Sequence, residues 1–227
     1  MPADNPCGLP RLPSRGGRFT PTAGRSRVQS EQVGGEPSDM AQDESPEPLV
    51  LPRLETRKLI LREFRDSDLE LIREASGDPL IPLITSVPAD YTEAEGLAFI
   101  KRQQGRLTSR EGYAFVIANR ADDRAIGAIG VWIRNIDLGR AAVGYWLGSS
   151  ARGQGTAAAA LSAVSDWALE NLEVVRLELF VEEWNIASWR TAEKAGFSRE
   201  GLLRRWELIG GVWKDLYVYS KVREFPK

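Results

Sequence analysis

The stretch Val143-Gly144-Tyr145-Trp146-Leu147-Gly148-Ser149-Ser150-Ala151-Arg152-Gly153-Gln154-Gly155-Thr156-Ala157 constrains this chain more than any other. An apolar, aromatic run meets a glycine-punctuated turn, and an alanine-rich helical pattern follows through Leu161, Val164 and Ala168. A strand that enters a helix through Gly-x-Gly gathers unpaired N–H groups and the positive end of the helix dipole at one point. The glycines also let a phosphate approach the backbone closely. Arg152 to Ala157 is therefore a candidate anion cradle.

Nine of the thirteen prolines fall at or before Pro52, among Gly, Ser and Arg and with few large apolar residues. Such a segment cannot bury enough surface to offset its ordering entropy, so residues 1–52 read as a disordered tail and residues 53–227 as one folded domain. Arg11, Arg15, Arg18, Arg25 and Arg27 precede an acidic block from Glu31 to Glu47. This tail reads as a spacer, or as an extension upstream of Met40. It lacks the continuous apolar core of a signal peptide, and no span approaches the roughly 20 residues that cross a bilayer.

From Arg53 onward acidic and basic residues balance, which argues against direct nucleic-acid binding. The single cysteine, Cys7, lies in the tail, and the chain has no histidine. Disulfides, Cys-based metal clusters, His-centred triads and imidazole acid–base chemistry are all removed from the core. The expectation is a cytoplasmic protein, monomeric or homodimeric, with no metal and no membrane contact.

Arg57–Phe64 alternates as a strand. Ser67 and Glu70 are spaced as a capping box, and Pro79, Pro82 and Pro88 punctuate a loop. Thr92-Glu93-Ala94-Glu95 opens a second helix to about Leu107. Strands follow at Tyr113–Asn119, Ile126–Ile133 and Ala141–Leu147, then the cradle and a helix to about Glu170. Val174–Val181 is a strand, Asn185–Ala195 a short helix stopped by Gly196, and Leu202–Leu208 with Val212–Val222 a hairpin through Gly210-Gly211. The pattern is α/β (α+β): a mixed, mostly antiparallel twisted sheet of about seven strands flanked by about four helices, with one βαβ unit.

Gly153-Gln154-Gly155-Thr156-Ala157-Ala158 also fits the loose dinucleotide fingerprint, with Glu178 some 20 residues on. A dinucleotide domain repeats βα units around its motif, however, whereas here a meander precedes it and an antiparallel pair follows. The same residues fit Arg/Gln-x-x-Gly-x-Gly/Ala at Arg152, Gly155 and Ala157. With Asn185-Ile186-Ala187-Ser188, Glu193-Lys194-Ala195-Gly196-Phe197 and the closing Trp213-x-Asp215…Tyr219-Ser220, the chain resembles the GNAT superfamily of acyl-coenzyme A-dependent N-acetyltransferases. Within it, the chain most resembles the ribosomal-protein N-terminal (RimJ/RimL) branch, over about Arg53 to Arg223.

The resemblance implies a GNAT fold using acetyl-CoA as co-substrate. Arg152, Gly153, Gln154, Gly155, Thr156 and Ala157 would cradle the pyrophosphate. Leu147 would contact the pantetheine and polarise the acetyl carbonyl through its N–H. Asn185 would serve the pantetheine as well as capping its helix. Direct attack by an amine needs a base and a donor to the leaving thiolate. The family's acid–base positions fall here on Ala142, Phe180 and Ala192, which leaves Ser188 as the matched hydroxyl and Glu182 as a carboxylate able to direct water. Trp184, Trp189, Trp206 and Trp213 lie near the presumed cleft, and the Ile81–Tyr91 loop would wall the acceptor side. The reading is acetyl transfer to a primary amine, either a protein N-terminal α-amine or a small-molecule amine. The alternative, motivated by the three apolar replacements, is a degenerate domain that binds acyl-CoA as a sensor or partner module.

Overall fold

The computed structural model describes residues 49–224. Residues 1–48 of the expected tail lie outside the described residues. Leu49 and Leu51, assigned above to the tail, are partly buried against the core, so the packed chain begins before Arg53.

Eight strands form one sheet: β1 (Leu54–Glu55), β2 (Leu59–Arg62), β3 (Gly112–Asn119), β4 (Ala125–Trp132), β5 (Arg140–Leu147), β6 (Arg176–Glu182), β7 (Ser198–Ile209) and β8 (Val212–Val222). Their order is β1-β2-β3-β4-β5-β6-β8-β7, and only the β5–β6 pair is parallel. The additional strand is the two-residue β1, too short for its alternation to be read. The helices are α1 (Leu69–Ser76), α2 (Ile81–Ile84), α3 (Glu93–Thr108), α4 (Thr156–Asn171) and α5 (Ile186–Lys194).

The additional helix, α2, occupies part of the expected loop. Pro82 is no obstacle there, because the first turn of a helix needs no N–H from it. The Asp78 carboxylate supplies the start, accepting from the N–H groups of Leu80 and Ile81 at 2.8 and 3.1 Å. The Ser67–Glu70 capping box does not begin α1. Residues Asp66–Asp68 form a 3-10 turn, and Asp68 instead accepts from the Arg65 N–H at 2.8 Å. Asp68 is held by a bidentate pair to Arg62, both contacts 2.9 Å, and both side chains are buried. At α3 the expected cap forms, with Thr92 Oγ1 accepting from Glu95 N at 3.1 Å.

Two apolar layers cover the sheet. α4 and α5 pack on one face with Val143, Leu147, Leu177, Leu179 and Val181. α1 and α3 pack on the other, with Ala114, Val116, Ala128 and Trp146. Strand alternation sorts β5 accordingly: its odd positions face α4 and α5, and its even positions face α3. Gly210 and Gly211 turn the β7–β8 hairpin at φ of 56° and 79°, a left-handed pair that suits a two-residue connection. No helix among the described residues is long and apolar enough to cross a membrane.

Candidate active site

The site begins where the sheet stops being continuous. β5 and β6 pair at Arg140↔Arg176, Ala141↔Leu177 and Ala142↔Glu178, then diverge although each strand runs on. Both remain paired on their outer sides, to Leu147 against β4 and to Glu182 against β8. Gly148 N–H donates to Ile126 O at 2.9 Å. By antiparallel alternation, the backbone groups of Val143, Tyr145 and Leu147 therefore point away from β4 into the gap. Arg223 N–H to Val175 O, at 2.8 Å, fixes the same alternation on β6, turning the backbone of Phe180 and Glu182 toward the gap. Two strand edges thus face each other across an opening, a shape that receives an extended, amide-bearing chain.

A cavity of about 370 Å³ fills this opening. Its lining takes consecutive residues, 143–147 of β5 and 179–182 of β6, so it touches both pleat faces and passes through the sheet. On the α5 side it reaches Asn185, Ser188 and Thr191, and on the α3 side Phe64, Phe99, Trp132 and Trp146.

The glycine turn lies at the α4/α5 end. Gly153 and Gly155 have φ of 75° and 77°, and a Cβ on Gly153 would meet nothing within 4 Å. Backbone conformation and open approach, not crowding, therefore call for these glycines. Gly155 is the N-cap of α4 and places no side chain on the first N–H groups, those of Thr156, Ala157 and Ala158. The Arg152 guanidinium turns back to the Leu147 carbonyl, at 3.0 and 3.1 Å, and to Asp78. It braces the turn, leaving its backbone to face outward. Gln154 is tied likewise, donating to Ser150 O at 3.0 Å. Lys194, on α5, brings its Nζ to 3.6 Å from where a Gly155 Cβ would stand, and so adds a cation beside the cradle.

Asn185 Oδ1 accepts from Ser188 N–H at 3.1 Å and caps α5. This fixes the Ser188 hydroxyl 3.0 Å from the Tyr145 hydroxyl. Burial pushes the Tyr145 phenol above its ordinary value despite the opposing hydrogen bonds to Ser188 and Thr191, so it stays protonated at neutral pH.

At the other strand ends stand Glu182 and Glu207. Glu182 accepts from the Trp184 indole at 2.8 Å. Burial, joined by the like charge of Glu182, pushes the Glu207 carboxyl up to about 7. Phe180 stacks on Trp206 beside them at 5.5 Å between centroids.

The model of the acetyltransferase (GNAT) domain matches residues 58–198. The chain belongs to the GNAT acetyltransferase family. Probable N-acetyltransferase YjcK of Bacillus subtilis is 39% identical over 134 residues, 58% of this chain and 74% of that one. The ribosomal-protein-serine acetyltransferase of Escherichia coli is 30% identical over 124 residues, 54% of this chain and 69% of that one, which supports the RimJ/RimL-like branch. Mycobacterium smegmatis RimJ, solved in complex with CoA-disulfide, shares the fold with a TM-score of 0.65 at 23% identity, covering 77% of this chain and 88% of that chain.

In this GNAT enzyme, of the residues singled out from sequence, Leu147, Arg152, Gly153, Ala157, Glu182, Asn185 and Ser188 line the cavity, whereas Gln154, Gly155 and Thr156 stand in the turn that opens α4 and do not line it. Ala142 and Ala192 are buried, and Phe180 is packed. Three residues escaped the sequence reading: Tyr145, Lys194 and Glu207. Tyr145 sits in the quoted strand motif, but its partner lies 43 positions away. Glu207 carried one faint signal, a lone acid in the run Trp206-Glu207-Leu208-Ile209. Among the tryptophans, Trp132 and Trp146 wall the cavity together with Trp184, whereas Trp213 is exposed and Trp189 packs on the core.

Proposed function

We propose that this enzyme acetylates a primary amine, the α-amine of a peptide or protein N-terminus in first place, by direct attack on acetyl-CoA with donor and acceptor bound together. The observation that carries the reading is the cavity running through the β5–β6 gap. It gives donor and acceptor separate faces of the sheet and one meeting point, without a covalent stop on the protein.

The chain fits the donor. The N–H groups at the start of α4, the left-handed glycines and Lys194 suit a pyrophosphate, and the two open strand edges suit the pantetheine amides. Acetyl-CoA supplies an acetyl group on a thioester, whose carbonyl carbon is attacked and whose sulfur leaves.

Leu147 directs its N–H into the gap, toward an oxygen that gains charge during attack. Glu207, ionisable near neutral pH, takes one proton from an acceptor that arrives as an ammonium ion and later releases it to water. The freed nitrogen lone pair forms the C–N bond as the C–S bond breaks. Ser188 donates its proton to the departing sulfur, and the second proton lost by nitrogen restores the hydroxyl. Glu182 helps hold the cation. These polar groups do the work that Ala142, Phe180 and Ala192 cannot, which favours an enzyme over an acyl-CoA sensor.

The test is thiol release from acetyl-CoA with a panel of peptides and small amines. Turnover on α-amines is the expected result. Tight acetyl-CoA binding without turnover on any amine would refute the reading and favour the sensor.

A further inference from the structure

The β7–β8 hairpin carries an irregularity beside the opening. Between Leu203↔Leu216 and Glu207↔Lys214, β7 takes four steps where β8 takes two, so β7 bulges by two residues. Arg205, within the bulge, has a φ of 49°, a left-handed angle that a residue with a Cβ adopts only with support. Asp215 gives that support: its Oδ1 accepts from Arg205 N–H at 2.7 Å. Asp215 is the acid of the closing Trp213-x-Asp215 motif, and it does not itself line the cavity.

The two residues after Arg205 show what the bulge does. In a regular strand, consecutive side chains point to opposite faces. Here Trp206 stacks on Phe180, and Glu207 lines the cavity with Phe180 and Glu182. Phe180 and Glu182 are alternate residues of β6 and share one face. Lys214 and Leu216, the Cα partners of Glu207 and Glu182 on β8, share that face too. The bulge thus delivers a ring and a carboxylate, adjacent in sequence, to the same side of the sheet. A straight β7 in the register of Leu203 would carry Glu207 two residues, about 7 Å, toward the hairpin turn and away from the opening. Glu182 on β6 and Lys214 on β8 are the charged residues that face Glu207 from the neighbouring strands. Arg204 and Arg205 on β7 are exposed, and α2, which approaches the turn through Leu83, is uncharged.

We infer that Asp215 is a positioning residue of the acceptor side, holding the bulge that sets the Glu207 carboxylate at the opening opposite Glu182. This rests on the role proposed above for Glu207 and adds what keeps that group in place. Without the Asp215 oxygen, Arg205 relaxes from its left-handed angle and β7 straightens locally. Glu207 then swings toward water and loses the burial that raises its pKa.

The experiment follows the Glu207 carboxyl directly, by carbon-13 NMR of the full chain labelled at glutamate, with Glu207→Gln assigning the signal. In Asp215→Ala the titration midpoint should fall by about one pH unit or more. Thiol release from acetyl-CoA with alaninamide should drop about 10-fold in kcat/KM, and its rising limb should move to lower pH with the midpoint. Asp215→Asn keeps an oxygen for the Arg205 N–H and should hold the midpoint near the wild type. Adding Arg205→Gly to Asp215→Ala should restore much of the loss, because glycine keeps a positive φ unaided. If Asp215→Ala does not fold, Arg205→Val strains the bulge from the other strand and should shift the midpoint the same way. A midpoint that stays in place, with any rate loss equal at every pH, overturns the inference and leaves amine acetylation standing. Release with no amine removes the acetylation reading and, with it, any part of Asp215 in the reaction.

Discussion

Replacing Glu207 with Gln probes the carboxylate end of the cleft through stability and rate at once. The folded protein holds this carboxyl at about 7 against an ordinary 4.5, through burial first and the Glu182 charge second. That gap converts to about 3.4 kcal/mol at 1.36 kcal/mol per pH unit. The side chain is partly exposed, so solvent screening reduces the expectation to about 1–2 kcal/mol. Between the two values the native state binds more protons than the unfolded chain. The contribution is therefore full below about 4.5 and is lost as pH rises through about 7. Gln cannot ionise. Urea unfolding should find Glu207→Gln close to the wild type at pH 4.5 and more stable by about 1–2 kcal/mol at pH 8. In the same variant kcat/KM should fall by about 100-fold and lose the limb that rises through neutral pH. A stability gap that is equal at both pH values would refute the account of the carboxyl. An unchanged pH–rate profile would refute its role as proton acceptor.

Ser188→Ala and Tyr145→Phe should each lower kcat by about 10-fold or more with little change in coenzyme A affinity, and the double variant should be no worse than the more damaged single one; additive losses in stopped-flow rates would separate the two hydroxyls. Gly155→Glu forces a side chain onto a φ of 77° and sets a carboxylate at the start of α4, so coenzyme A binding by calorimetry should disappear, and unchanged affinity would remove the pyrophosphate from this turn. Asp68→Asn leaves buried Arg62 with the half-exposed Asp123 carboxylate as its remaining counter-charge, 2.8 Å away, and should destabilise the fold by about 1–3 kcal/mol, read as a shifted urea midpoint, while acetyl transfer by the folded fraction persists.

The shape of the half proposed to hold the donor was legible in the sequence because its determinants are local. Gly153 and Gly155 act through their own backbone angles, Asn185 through the helix it begins, and the α4 pattern through its period. The half proposed to hold the acceptor was not legible, because it is assembled from distant elements. Glu207 sits on a strand whose register shifts between Leu203 and Glu207, and no local pattern places it opposite Glu182. The helix α2 was hidden by Pro82, which reads as a breaker until Asp78 is seen to cap it. The same carboxylate binds Arg152 of the cradle, a pairing 74 residues apart.

The alternation along β5 has a consequence for how such enzymes diversify. Val143, Tyr145 and Leu147 point one way and Gly144 and Trp146 the other, so a five-residue word spells two messages in interleaved letters. Under the proposed function, changing the even letters alters what is received, and the odd letters keep what is given. A lineage can therefore try new recipients one substitution at a time while its supply of activated acyl groups stays intact.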